Sequence, residues 1–318
     1  MITYFYAMED LGRVIGRYES EIEGPLLICL GGIHGNEPAG VRAIQIVTTL
    51  LENEADVNPD FSFRGRLVGI IGNKSALRAN QRYIAEDLNR ILTPERLEQI
   101  HSRKARHQEE SEIKELVTAI NKEIEEYRPQ KIVLLDIHST SATGGIFVIT
   151  SGDPESARIG ATLHAPVILD FVHEIKGTTL GFFTKENLNT DIVSVVFECG
   201  QHTDPLSVNR AIAAIINCMR TIGCIRAEDV ENKHDLLLQE YAAGLPKVAR
   251  LIEHYTIDAQ RTFRFVKEYQ NFEQVSAGQV IAYSGNIPVT ARQSGLILLP
   301  RLQDRGTDGF FIVRPEEY

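Results

Sequence analysis

His34 and Glu37 stand three residues apart in the run Gly31-Gly32-Ile33-His34-Gly35-Asn36-Glu37-Pro38. A histidine nitrogen and a carboxylate oxygen are both good zinc ligands, and catalytic zinc is often held by two histidines and one glutamate. The apolar run at 26–30 has the composition of a buried strand, and from Pro38 onward Val41, Ile44, Val47 and Leu51 recur at helical spacing. The pair therefore lies in a glycine-rich turn between the C-terminal end of a strand and a helix, where open α/β sheets place their ligands. A metal site needs a second histidine on a neighbouring strand end. Ile132-Val133-Leu134-Leu135-Asp136-Ile137-His138 is another apolar run, and it ends in one. Two readings fit: a metal centre built from His34, Glu37 and His138, or a tight turn whose histidines are hydrogen-bonded strand ends. His107 and Glu110 repeat the spacing inside the charged run 103–115 without strand or glycine turn, and are expected to face solvent on a helix.

Two further segments carry chemistry. Ser194-Val195-Val196-Phe197-Glu198-Cys199-Gly200 ends an apolar strand pattern in an acid, which is costly to bury unless it is paired or used. Glu198 is either a general base beside a metal site, its pKa raised by partial burial, or a carboxylate paired with a nearby cation. In Glu86-Asp87-Leu88-Asn89-Arg90 the planar fork of Arg90, with Asn89 beside it, could clamp a carboxylate. The bland alternative is a helix start with a surface arginine.

The elements that must position these groups follow from the patterning. Short runs rich in Val, Ile and Leu predict strands at 26–30, 66–72, 132–137, 146–150, 166–171 and 193–199. Helical spacing predicts helices at 38–53, at about 92–127 with a break, and at 206–221. This alternation predicts an α/β fold with a mixed, mostly parallel sheet flanked by helices over residues 1–222. Residues 223–246 read as a helical linker. From 247 to 318 glycine-punctuated short strands predict a small β-rich C-terminal domain. Gly278, Gly285 and Gly295 outline a hairpin like that of a lipoyl or biotinyl carrier, but its tip, Asn286-Ile287-Pro288, has no lysine to modify.

Composition narrows the partners. The 318 residues are 43% hydrophobic and 24% charged, ordinary for a globular protein, with a formal net charge of −10. No basic stripe is visible, so nucleic acid is not an expected partner. No apolar stretch approaches the ~20 residues that span a bilayer, and the first ten residues lack the regions of a signal peptide. Cys29 and Cys199 fall in apolar strand patterns as buried thiols; a disulfide between Cys218 and Cys224 is allowed but not implied, and a reduced, cytoplasmic setting is expected. Assembly with copies of itself is left open.

Gly32-Ile33-His34-Gly35-Asn36-Glu37, Asp87-Leu88-Asn89-Arg90, Asp136-Ile137-His138 and Phe197-Glu198-Cys199-Gly200, in that order, resemble the succinylglutamate desuccinylase/aspartoacylase family of the zinc carboxypeptidase-like superfamily. The resemblance covers about residues 20–222. It implies that His34, Glu37 and His138 hold Zn2+, that Asn89 and Arg90 hold a substrate carboxylate, and that Glu198 is the general acid/base. Asp136 points to the same side of its strand as His138 and is expected to orient a ligand. The implied activity is hydrolysis of the amide of an N-acyl amino acid or related small carboxylate. A carboxypeptidase or ester hydrolase, or a binding protein that retains the metal, are the alternatives.

The chain also departs from the family. Aspartoacylases carry a carbonyl-polarising arginine in the segment matching Asn73-Lys74-Ser75-Ala76; here Ser75 stands there, with Lys74, Arg78 and Arg82 as nearby cations. Residues 186–194 lack the arginine expected before the catalytic Glu, and Lys185 is the nearest cation. The family's C-terminal tyrosine is replaced near Gly309 and Phe310. With fewer fixed cations expected in the pocket, N-acyl monocarboxylates are expected to be preferred over N-acetylaspartate.

Overall fold

The computed structural model describes residues 12–229, 233–301 and 305–316. Fourteen strands are present among them: β1 Val14–Glu19, β2 Leu26–Gly31, β3 Arg66–Ile71, β4 Ile132–Thr140, β5 Phe147–Thr150, β6 Val167–Leu169, β7 Ile192–Gln201, β8 Val248–Thr256, β9 Phe263–Phe265, β10 Glu273–Val275, β11 Val280–Ser284, β12 Ile287–Thr290, β13 Gly295–Leu298 and β14 Asp308–Pro315. Eleven form one sheet in the order β1-β3-β2-β4-β7-β5-β6-β8-β14-β13-β10. Pairing is parallel across β3-β2-β4-β7 and β5-β6-β8. It is antiparallel at β1, between β5 and β7, and from β8 through β14 and β13 to β10. The remaining three make a small antiparallel sheet, β12-β11-β9, whose β11-β12 hairpin turns at Gly285.

Alternation along β2 shows why the middle of the sheet must be covered on both sides. Leu27 and Cys29 join one apolar cluster; Leu26, Ile28 and Leu30 join another. Helices Ala39–Val57 and Leu206–Ile222 close the first face with Ile44, Val47, Ala211 and Ile215. Helix Gln108–Tyr127 closes the second with Ile113, Leu116 and Ile120. Where the sequence pattern gave a single broken helix near 92–127, Pro94–Ser102 is separate, started by Thr93, whose hydroxyl accepts from Arg96 N at 3.1 Å. Short helices such as Lys74–Ala79 and Leu88–Ile91 and the edge strand β1 carry too few periodic residues to show in the sequence. All four cysteines are free and buried.

The sheet does not stop where the sequence changes character. β8 pairs in parallel with β6 and antiparallel with β14, so residues beyond 247 extend the large sheet as well as building the small one. Between residues 223 and 246 lie a 3-10 turn, Ala227–Asp229, and the helix Lys233–Tyr241.

Candidate metal centre and active site

His34 and Glu37 sit in the turn that leaves β2. Gly32 begins it with φ +67°, a conformation that costs glycine little. Gly35 passes so close to the helix Lys74–Ala79 that a Cβ there would lie 1.9 Å from the carbonyl carbon of Ala76. The turn is thereby pressed toward the strand ends. β4 brings His138 up beside it, and the β4-β7 register sets His138 directly opposite Glu198. His34, Glu37 and His138 each offer a ligand atom, and the three atoms lie within 4.8 Å of one another.

Both imidazoles are aimed the same way. His34 Nδ1 lies 2.9 Å from Glu37 Oε1, and His138 Nδ1 lies 3.0 Å from Glu37 Oε2. The far nitrogens rest on carboxylates: His138 Nε2 on Asp136 Oδ2 at 3.0 Å, His34 Nε2 on Asp87 Oδ1 at 3.2 Å. An Nε2–H held by a carboxylate leaves the Nδ1 lone pair for a cation, the outer-shell pattern of metal-bound histidine. Two imidazole nitrogens and a carboxylate oxygen suit zinc. Burial opposes ionisation of Glu37, yet His34 and His138 outweigh it and hold the carboxyl well below its ordinary range. For His138 burial likewise opposes charge, and Asp136 and Glu37 overcome it and raise the pKa.

Glu198 differs. Burial pushes its carboxyl up to about 8, and its buried Oε2 has no hydrogen-bond partner. Among the described residues it makes no ion pair, although the charges of His138 and Arg82 act on it. An acid left unsatisfied in a pocket is a recurring sign of a functional group.

The cation beside the centre is Arg82. It lines the same pocket, with Nη1 3.7 Å from Glu37 Oε1, and its Nε and Nη2 each lie 2.9 Å from Asp87 Oδ2. The other candidates are elsewhere. Ser75 spends its hydroxyl and its N–H on Glu112, Arg78 is exposed, and Lys185 pairs with Asp191 at the surface. Nor is the pocket poor in cations: Arg301 and Arg305, unforeseen from the sequence, line it with Arg82 and Arg90.

Asn89 and Arg90 also line the pocket. Asn89 Oδ1 accepts from Thr179 N at 2.8 Å, and Thr179 Oγ1 in turn donates to Asp136, tying this segment to the His138 support. Arg90 is not a bare fork: its Nη2 and Nε reach Asp308 Oδ2 at 2.5 and 3.1 Å, and Nη1 donates to Asn89 O at 2.6 Å. His202 lines the pocket too, with Nδ1 2.8 Å from Ser139 Oγ. The lining also has an apolar part, which includes Ile149, Phe171, Ile175, Val196 and Phe311.

His107 and Glu110 do not face solvent as expected. Glu110 is fully buried, bound by Arg103 through two 2.7 Å contacts, and His107 Nε2 lies 2.8 Å from Glu86. Arginine takes the place a metal would need. The neighbouring Glu109 accepts from the backbone N–H of Ile84 and Ala85, and Glu112 from those of Lys74 and Ser75. Glu109 thus anchors the loop between Arg82 and Asp87, and Glu112 the start of helix Lys74–Ala79.

Residues 23–222 match the model of the succinylglutamate desuccinylase/aspartoacylase catalytic domain. A probable aspartoacylase from Parasynechococcus marenigrum (strain WH8102) is 26% identical over 233 residues, 70% of this chain and 71% of that protein. The chain spans 52% and 42% of two further probable aspartoacylases, from Acaryochloris marina and a Nostoc species. Among solved structures, a succinylglutamate desuccinylase/aspartoacylase from Rhodobacter sphaeroides superposes with TM-score 0.62 at 18% identity, over 93% of this chain and 87% of that one. At that identity the likeness speaks for the fold alone.

Proposed function

Since the chain belongs to the succinylglutamate desuccinylase/aspartoacylase family, we propose that it is a zinc-dependent hydrolase that removes the acyl group from an N-acylated amino acid or related small amide. His34, Glu37 and His138 hold the metal, oriented from behind by Asp87 and Asp136. Zinc bound there supplies Lewis acidity toward a carbonyl oxygen and toward water. Glu198 accepts the proton of the attacking water and delivers it to the nitrogen of the leaving amine, so that water and amide become carboxylate and amine. Arg82 donates to the carbonyl oxygen as negative charge gathers on it, the part that Ser75 cannot play. Asn89 and Arg90 contact the rest of the substrate. Four free, buried thiols suit a reducing cytoplasm, and among the described residues no helix is long and apolar enough to cross a membrane.

The observation that carries this reading is Glu198, in register with His138, buried, and with an oxygen that none of the described residues satisfies. A protein that only bound its ligand would have no use for it. The test is metal content together with turnover of the zinc-loaded protein on a panel of N-acyl amino acids. One zinc per chain is expected, lost in His34→Ala and His138→Ala and retained in His107→Ala. Full occupancy in His34→Ala, or no turnover of any N-acyl substrate, refutes the assignment.

A further inference from the structure

His202 brings into the pocket a donor that the proposed chemistry leaves unused. Along β4 and β7 His138 stands opposite Glu198, but Thr140 stands opposite Gln201, so β7 carries one residue more than β4 over this step, where Gly200 takes φ +106°. Such a bulge bends its strand and re-aims the side chains beside it. His202 follows at once and is fixed at two points: its backbone N–H donates to Thr140 O at 2.9 Å, and its Nδ1 lies 2.8 Å from Ser139 Oγ. Ser139 is held in turn, since its backbone N–H donates to Glu37 Oε2 at 3.0 Å. Among the described residues the Ser139 hydroxyl has no other acceptor, so it donates to Nδ1 and the ring proton sits on Nε2. That Nε2 is buried and has no partner among the described residues, on a side chain that lines the pocket.

Strand register indicates which part of a ligand meets it. Two residues back toward the strand starts Asp136 opposes Val196, and there Asp136 accepts from Thr179, whose N–H donates to Asn89. The Asn89-Arg90 segment is thus tied in below the level of His138 and Glu198, whereas His202 lies beyond that level, toward the strand ends. A substrate with its amino-acid carboxylate at Asn89 and Arg90 and its scissile amide at His138 and Glu198 points its acyl chain toward His202. Apolar Ile149, which opposes Val196, stands at the lower level. The upper side is polar and positive: Arg301 follows Pro300, whose carbonyl accepts from Ser141, and Arg305 donates to Ile84 O at 3.3 Å, and both line the pocket with Arg82. We propose that His202 is a specificity-determining residue: its Nε2–H receives a hydrogen-bond acceptor at the far end of the acyl chain, a carboxylate or an amide carbonyl, in preference to an apolar end. This rests on the hydrolase reading and names its acyl class. Covering the donor with a methyl group would leave it buried and unsatisfied, and the arginines on that side favour an acceptor over hydrocarbon.

The test uses acids of like shape that carry the carboxylate the reaction releases. Succinate, succinamate and 4-methylpentanoate are titrated calorimetrically into the zinc-loaded protein, and kcat/KM is measured for the succinyl, succinamoyl and 4-methylpentanoyl derivatives of the same amino acid. Wild type favours both polar ends over the apolar one. His202→Asn keeps a partner for Ser139 but has nothing at the Nε2 position, and should cut both preferences by about tenfold, the scale of one hydrogen bond. His202→Gln carries an amide N–H to the Nε2 position while giving up the Ser139 contact, and should retain most of each preference. A histidine that acts only through Ser139 and Glu37 gives the reverse order, with Asn tolerated and Gln harmful. Equal binding of polar and apolar acids by wild type, no binding of any of them, preferences unchanged in His202→Asn, or the reversed order overturns the proposal. Turnover without discrimination overturns it and leaves the hydrolase reading standing. Discrimination in binding without turnover of any derivative removes the hydrolase reading instead and leaves His202 as the ligand's donor.

Discussion

Asp136→Asn should loosen the metal without unfolding the protein. Asp136 is completely buried, and its Oδ2 receives both His138 Nε2, at 3.0 Å, and the Thr179 hydroxyl. The amide oxygen of asparagine can still accept one of these donors, but its charge is gone. A hydrogen bond to a charged group contributes roughly 1.5–3 kcal/mol. Converted at about 1.4 kcal/mol per decade, that is about a ten- to hundredfold weaker dissociation constant. The upper end is expected, since burial removes the water that would otherwise replace the lost contact. Competition with a chelator of known affinity reads the constant, at one fixed pH because ligand protons compete with the metal. Circular dichroism checks the fold. Affinity within twofold of wild type in a folded Asp136→Asn protein would show that His138 is aimed by its strand alone, and the argument from its carboxylate support would fall.

Glu198→Gln should retain its zinc and lose roughly a hundredfold or more in kcat, the scale of general acid–base contributions; near wild-type turnover would make Glu198 a structural residue. Gly35→Ala places a methyl 1.9 Å from a backbone carbon of the neighbouring helix, so its cost should reach or exceed the top of the about 1–3 kcal/mol usual for overpacking; an unchanged denaturation midpoint contradicts the packing described. Glu110→Gln tests the buried network. Hydrogen bonds from Arg103 hold the Glu110 carboxyl down to about 2. A carboxyl depressed by folding stabilises while ionised, above its unfolded pKa, and loses that contribution as pH falls toward the folded value. The variant should therefore melt lower than wild type at pH 7, with the gap narrowing from about pH 5 and closing near pH 2; a gap independent of pH excludes a charge origin.

Much of the centre was legible because its parts lie at the ends of apolar runs. A strand covered on both faces must be apolar throughout, so His34 after β2, His138 late in β4 and Glu198 late in β7 stand out as polar groups that the strands could not otherwise carry. Sheet order then brings them together, since β2, β4 and β7 are neighbours. What failed to show depends on distance in sequence or on competition among like charges. Arg90 and Asp308 are 218 residues apart, and nothing near either announces the other. Lys74, Arg78 and Arg82 were equivalent as cations until the six-residue helix Lys74–Ala79 turned Arg78 outward and the loop after it brought Arg82 in. Glu110 read as solvent-facing because a helical charge run looks alike whether it meets water or an arginine.

The place of β14 has a consequence for how the molecule is made. It fills the gap between β8 and β13, yet among the described strands it is the furthest along the sequence. At about 5–20 residues per second, translation from β8 to the end of β14 occupies on the order of ten seconds. Throughout that interval β8 presents an open edge to whatever strand comes by, and β13 joins it once made. The nascent chain thus passes through an adhesive stage before its final strand seals the sheet. Arg90, synthesised long before, meets its counter-charge only then.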